Sequence, residues 1–130
     1  MNLNKKQQIM TAIYVESQKN NPHTQEVTSD VLAIEQAKFE AGVDALLNEK
    51  LISIHAISNN PPNSLSSRET EITCEGKSYI ENKLEINDWW DPLKKVEKAK
   101  KQAVAFGLIS LVNFINRVLA DMQVNTSGQN

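Results

Sequence analysis

Two segments decide the fold: Leu51-Ile52-Ser53-Ile54-His55-Ala56-Ile57, and Glu71-Ile72-Thr73-Cys74-Glu75-Gly76-Lys77-Ser78-Tyr79-Ile80. The first alternates with period two, sets Ile52, Ile54 and Ala56 on one side, and is rich in β-branched residues, which predicts a strand. Residues 58–70, Ser-Asn-Asn-Pro-Pro-Asn-Ser-Leu-Ser-Ser-Arg-Glu-Thr, have the composition of a loop. Glu71-Ile72-Thr73 is then a short strand that pairs antiparallel with the first. Thr73 is placed to cap a helix running through Tyr79, Ile80 and Leu84. Gly76 falls in the first turn of that helix, where a missing side chain allows close approach to a neighbour.

Upstream, residues 4–20 read as a first helix, with Ile9 and Ile13 beside Met10, Tyr14 and Ser17 at three- and four-residue spacings. Asn20-Asn21-Pro22 stops it, since proline cannot continue a helix. Residues 24–33 form a short second helix, capped either by Thr24 or by Thr28/Ser29. Residues 35–49 form a third, whose apolar stripe is Phe39, Val43, Leu46 and Leu47. Its outward face keeps Gln36, Lys38, Glu40, Ala41, Asp44, Ala45 and Asn48. Downstream, Asp91-Pro92 restarts a helix with a capping acceptor and a proline at the first helical position. That helix is expected from 92 to 124, with residues 125–130 a disordered tail.

Three helices, a strand, a loop, a strand and a helix make an α+β winged helix-turn-helix domain. It is expected over residues 1–88, followed by a long C-terminal assembly helix over 89–124. Phe39, Val43, Asp44, Leu46, Leu47, Asn48, Glu49, Leu51 and Ile52 form a recognition-helix-to-wing passage, and Ile72-Thr73-x-x-Gly76-x-x-Tyr79-Ile80 closes the wing. On these residues the stretch from Lys5 to about Leu84 resembles the YjcQ family of small bacterial and prophage winged-helix proteins. Lys50 stands where that pattern has glycine. The resemblance implies a winged helix of phage or prophage type, and it does not reach Trp89-Trp90 or the final helix.

Charge is divided along the chain. Residues 1–91 hold 8 Lys/Arg against 14 Asp/Glu, and residues 92–130 hold 6 against 2, so an acidic body of −6 precedes a basic segment of +4. A wholly basic nucleic-acid-binding domain is thereby excluded. One cysteine, Cys74, permits no internal disulfide, and the polar Met1–Lys6 start lacks the apolar core of a signal peptide, so a cytoplasmic protein is expected.

In a winged helix the third helix enters the major groove and the wing touches backbone or minor groove. Gln36, Lys38, Glu40, Ala41 and Asn48 would then face base edges, with Gln and Asn suited to adenine. An ordinary solvated face is the competing reading, because Glu35, Glu40, Asp44 and Glu49 would be repelled by phosphate. Arg68 is the cation of the wing loop, suited to a minor groove or simply solvated. The run Lys94-Lys95-Val96-Glu97-Lys98-Ala99-Lys100-Lys101 offers Lys94, Lys95, Lys98 and Lys101 to phosphates. The same lysines could instead pair with the acidic body in a dimer or keep an apolar helix soluble.

Val104, Leu108, Leu111, Ile115, Val118 and Met122 step by four and three, the seam of a coiled-coil homodimer through residues 92–124. Ile109, Val112 and Leu119 form a second stripe beside it. A membrane anchor over Ala103–Ala120 is disfavoured by Ser110, Asn113, Asn116 and Arg117, since a span needs about 20 mostly apolar residues. Trp89-Trp90 is read as a plug between last helix and body in preference to a binding hot spot. His23, His55 and Cys74 lack ligand spacing, so no metal or cofactor is expected, and Cys74 is read as a buried structural thiol. No phosphate-cradling glycine loop is present, and no enzyme is expected. The leading expectation is a dimeric DNA-binding transcriptional regulator. The alternative is an acidic winged-helix adaptor that binds a protein, such as a host factor, and does not bind DNA.

Overall fold

The computed structural model describes residues 3–20, 22–56 and 68–127. They form a mixed α+β structure, mostly helical, with one two-stranded antiparallel sheet, an arrangement compatible with a winged helix. Helix α1 (Lys5–Ser17) opens with a reciprocal cap. The Gln7 amide N–H donates to Asn4 Oδ1 at 2.8 Å, and the Asn4 N–H donates to Gln7 Oε1 at 3.0 Å. The expected single helix over 24–33 is instead two pieces, and of the candidate caps Thr24 is not one: no side chain caps the first piece, and the Thr24 hydroxyl donates to the Thr70 carbonyl at 2.7 Å. A 3₁₀ turn (Thr24–Glu26) comes first, and α2 (Ser29–Leu32) follows with the Thr28 side chain accepting from the Val31 N–H at 3.2 Å.

Helix α3 spans Gln36–Asn48, and strands β1 (Ile52–Ala56) and β2 (Arg68–Ile72) pair with Ile52 opposite Ile72 and Ala56 opposite Arg68. The second strand thus begins earlier than its sequence signal. Ile52 is buried against the body while Ile54, further along the hairpin, is exposed, so the alternation marks one face without burying all of it. Helix α4 (Cys74–Leu84) has the expected cap: Thr73 Oγ1 accepts from the Gly76 N–H at 2.9 Å and donates to the Lys50 carbonyl at 2.7 Å. A Cβ on Gly76 would overlap the Leu51 carbonyl and lie 2.8 Å from Met10 Cε, so glycine is what lets α4 seat on α1 and on the Leu51 backbone just before β1.

The C-terminal helix is not continuous. It divides into α5 (Pro92–Ala105) and α6 (Ile109–Ser127), with Gly107 at φ +72° between them. Its two flanking bonds, Gly107 N–H to the Val104 carbonyl and Leu108 N–H to the Ala103 carbonyl, both at 3.0 Å, close α5 as a Schellman motif. The same closure ends α2, α3 and α4, with Ala33, Lys50 and Glu85 at φ +55°, +63° and +61°. Each is followed by a buried apolar residue, Ile34, Leu51 or Ile86. Residues 125–127, expected in a disordered tail, continue the backbone of α6, and 128–130 lie outside the described residues.

One hydrophobic core runs through the described residues. Ile9 to Glu16 of α1 are buried without interruption, so this helix is covered on every side. Leu46 of α3, Ile80 and Leu84 of α4, Val96, Ala99 and Ala103 of α5, and Leu111, Phe114, Ile115 and Val118 of α6 complete the cluster. The expected division at 88/89 is therefore not a division between cores, because α5 and α6 bury their apolar faces on α1 itself. The burial of these α6 side chains, each worth about 1.5–3 kcal/mol, stabilises the helical hairpin on its own body.

Candidate interaction surfaces

The outward face of α3 is positioned by its junction with α2. Ser29 Oγ donates to Gln36 Oε1 at 2.7 Å, and Gln36 Nε2 donates to Glu40 Oε2 at 2.7 Å. Gln36, Lys38, Glu40, Ala41 and Asn48, the five residues expected to face base edges, are all exposed, but Gln36 and Lys38, two residues apart, lie on different flanks of the helix. Gln36 is nevertheless committed at both ends of its amide, and a bidentate adenine contact would require breaking those bonds. Glu49 is neutralised by Lys6, 2.7 Å away. The hydrogen bond to Glu49 raises the Lys6 pKa, with burial only partly opposing it. Glu35, Glu40 and Asp44 remain exposed with no ion pair among the described residues, against Lys38 alone.

The lysine run divides by helical phase. Lys94, Lys98 and Lys101, at i, i+4 and i+7, lie along one outward stripe of α5, with Lys94 and Lys101 exposed and Lys98 half-buried. Lys95 is on the opposite side and is corrected as a phosphate contact: it is 6% exposed, with Nζ 3.3 Å from Glu81 Oε2. That carboxylate oxygen also accepts the Tyr14 hydroxyl at 2.7 Å. Burial first, then the hydrogen bond to Glu81, drive the Tyr14 pKa far above its ordinary value. A second buried acid, Glu16, accepts from the His23 N–H at 2.8 Å and pairs with Lys19 at 2.9 Å, and Lys19 reaches Asp121 of α6 at 3.0 Å. Burial lowers the Lys19 pKa, but its bonds to Glu16 and Asp121 outweigh this and raise it. These ionic contacts, which lock α1, α4, α5 and α6 together, had only one signal in the sequence. Glu81 follows Ile80 and precedes Leu84 by three, on the flank of an inward stripe.

The two charged surfaces do not adjoin. Helix α3 packs chiefly on α1, α2 and β1, whereas α5 packs on α1, α4 and α6, so α1 lies between the acidic face and the lysine stripe. Arg68 is placed by its backbone opposite Ala56 in the hairpin, and the loop before it lies outside the described residues.

The expected dimer seam is taken up internally. Leu111, Ile115 and Val118 are buried in the chain's own core, Leu108 and Met122 are half-buried, and Val104 alone of the six is exposed. The cause is the break at Gly107, which folds α6 back so that its seam meets α1 and α2. The outer side of α6 is polar, with Asn113, Asn116, Arg117 and Asp121 exposed. At the α5–α6 corner Val104, Gly107, Leu108, Ile109 and Val112 line a shallow apolar concavity of about 190 Å³.

Trp90 packs half-buried against the core, but Trp89 is largely exposed, so only one of the pair is a plug. Cys74 is exposed rather than buried. Among the described residues no three His, Cys, Asp or Glu side chains gather as metal ligands would, and no helix is long and apolar enough to cross a membrane. No family model, curated protein or solved structure matches the chain.

Proposed function

We propose that the chain is a winged helix-turn-helix adaptor that binds a protein through the acidic outward face of α3 and carries out no catalysis. The order of three helices, hairpin and helix supports the winged-helix reading, as do the Thr73 cap and the Gly76 contact. Kinship with the YjcQ family belongs to the same proposal. The observation that carries the choice of partner is electrostatic. Glu35, Glu40 and Asp44 project from the surface that would enter a major groove, and the lysines that would offset them lie across α1. Like charges brought together at an interface cost several kcal/mol, whereas a basic protein surface would be attracted by the same residues.

A second reading is supported by the Lys94–Lys98–Lys101 stripe: sequence-independent DNA contact through phosphates, with affinity falling steeply as salt rises. Capture from a host extract on the wild-type chain and on Glu40→Lys/Asp44→Lys separates the two. The adaptor reading expects proteins held by the wild type to be lost from the variant. An unchanged protein set, or retention abolished by nuclease, contradicts it.

A further inference from the structure

We propose that the outer face of α5, together with Trp89 just before it and Ile109 at the start of α6, docks peripherally on an anionic lipid bilayer. The residues involved are distinct from the acidic face of α3. Four of the five large exposed hydrophobic side chains among the described residues belong to this surface: Trp89 at 79%, Leu93 at 37%, Val104 at 57% and Ile109 at 73%. Leu93 and Val104 are eleven residues apart, three helical turns, and so lie on one line about 16 Å long. Lys94, Lys98 and Lys101 run alongside that line, leaving Glu97 as the acid on this face.

The setting of the cations fits an interface between water and hydrocarbon. Lys94 Nζ stands 4.5 Å from the Trp90 ring centroid and 6.0 Å from that of Trp89. The flanking acids are both engaged: Asp88 pairs with Lys77 at 2.7 Å, and Asp91 accepts from the Lys94 N–H at 2.8 Å as the α5 cap. Tryptophan favours the headgroup level, aliphatic side chains enter the acyl boundary, and lysines on the same helix meet anionic headgroups.

Other occupants fit less well. A duplex supplies phosphates but gives Trp89 and Ile109 nothing apolar to enter. The apolar concavity of about 190 Å³ shared by Val104 and Ile109 does not extend to Trp89 or Leu93, so a peptide seated in it would leave those two uncovered. A second copy placed symmetrically on this face would set lysine against lysine.

The test is sedimentation of the full chain with vesicles of phosphatidylcholine alone and of phosphatidylcholine with phosphatidylserine. Emission from the two tryptophans, Trp89 and Trp90, is read in parallel. The expected result is pelleting with the anionic vesicles only, a blue shift of emission, and release by added salt. Lys94→Gln, Lys98→Gln and Lys101→Gln should each lower partition about fivefold. Trp89→Ser with Ile109→Ser should abolish it, with an unchanged circular dichroism spectrum showing that the fold persists. Equal pelleting on both vesicles, no pelleting on either, or variants that bind like the wild type would overturn the proposal. So would a tryptophan shift produced by duplex DNA and not by vesicles.

Discussion

The Lys95 ammonium lies 3.3 Å from Glu81 Oε2, the same oxygen that accepts the Tyr14 hydroxyl at 2.7 Å. One residue from each of α5, α4 and α1 thus meets at a single buried carboxylate, and the C-terminal hairpin is held to the body by charge as well as by apolar packing. Removing one member of a buried pair leaves the other uncompensated, at a cost of about 3–5 kcal/mol. Lys95→Met should lower the stability measured by urea unfolding by that amount. Lys94→Met, one position away but outward, should change it by less than about 0.5 kcal/mol. The triple change Tyr14→Phe/Glu81→Leu/Lys95→Met should recover near wild-type stability, because no charge or hydroxyl is then left unpaired.

The same site gives the alkaline limb of stability. Burial and the Glu81 contact raise the folded-state pKa of Tyr14 above its ordinary 10.0. Below that value the phenol is neutral in both states, and its contribution is fully present. As pH rises further, the unfolded chain loses the proton while the folded chain keeps it, so stability falls by up to about 1.4 kcal/mol per pH unit. Lys19, whose folded pKa is also raised, adds a loss of the same sign. Urea midpoints between about pH 9 and 11 should fall less steeply for Tyr14→Phe than for the wild type. Equal slopes would remove Tyr14 from this account.

Backbone geometry predicts opposite outcomes at two neighbouring positions. Lys50 holds φ +63°, a left-handed conformation that disfavours a side chain, and Lys50→Gly should stabilise the chain by about 0.5–1 kcal/mol. Gly76 is required by space, since its Cβ would meet the Leu51 carbonyl. Gly76→Ala should cost about 1–3 kcal/mol or more. Thermal unfolding of both variants provides the check.

Much of this local structure was legible because single residues carry its cause. Thr73, Gly76 and Asp91-Pro92 each mark a helix start by their own chemistry, and all three act as expected. The course of the C-terminal helices was not legible, because Gly107 sits inside a four-three apolar spacing that runs unbroken across it. That spacing identifies a buried seam, but not whether a second chain or the same chain covers it. Helical phase hid the lysines in a similar way. Lys94 and Lys95 are adjacent in sequence and face solvent and core respectively, a difference set only by where α5 docks. The burial of Glu16 and Glu81 was not legible, because apolar patterning assigns acids to the surface.

The internal use of the α6 seam has its own consequence. Ile115, fully buried in the core, should on replacement by Ala lower stability by about 2–5 kcal/mol. If its partner is the chain itself, the unfolding midpoint of wild type and variant will not depend on protein concentration. A midpoint that rises with concentration would show that an oligomer is being stabilised instead.

The most direct test of the proposed function is fluorescence anisotropy of random-sequence duplex DNA, titrated with the full chain at about 50 and about 200 mM salt. Gln36→Ala/Lys38→Ala/Asn48→Ala and Lys94→Glu/Lys98→Glu/Lys101→Glu are measured alongside the wild type. The account predicts no saturable binding at the higher salt up to tens of micromolar, and no effect of the α3 changes at either salt. Tight, salt-sensitive binding that disappears with Gln36, Lys38 and Asn48 would contradict it and return α3 to the major groove.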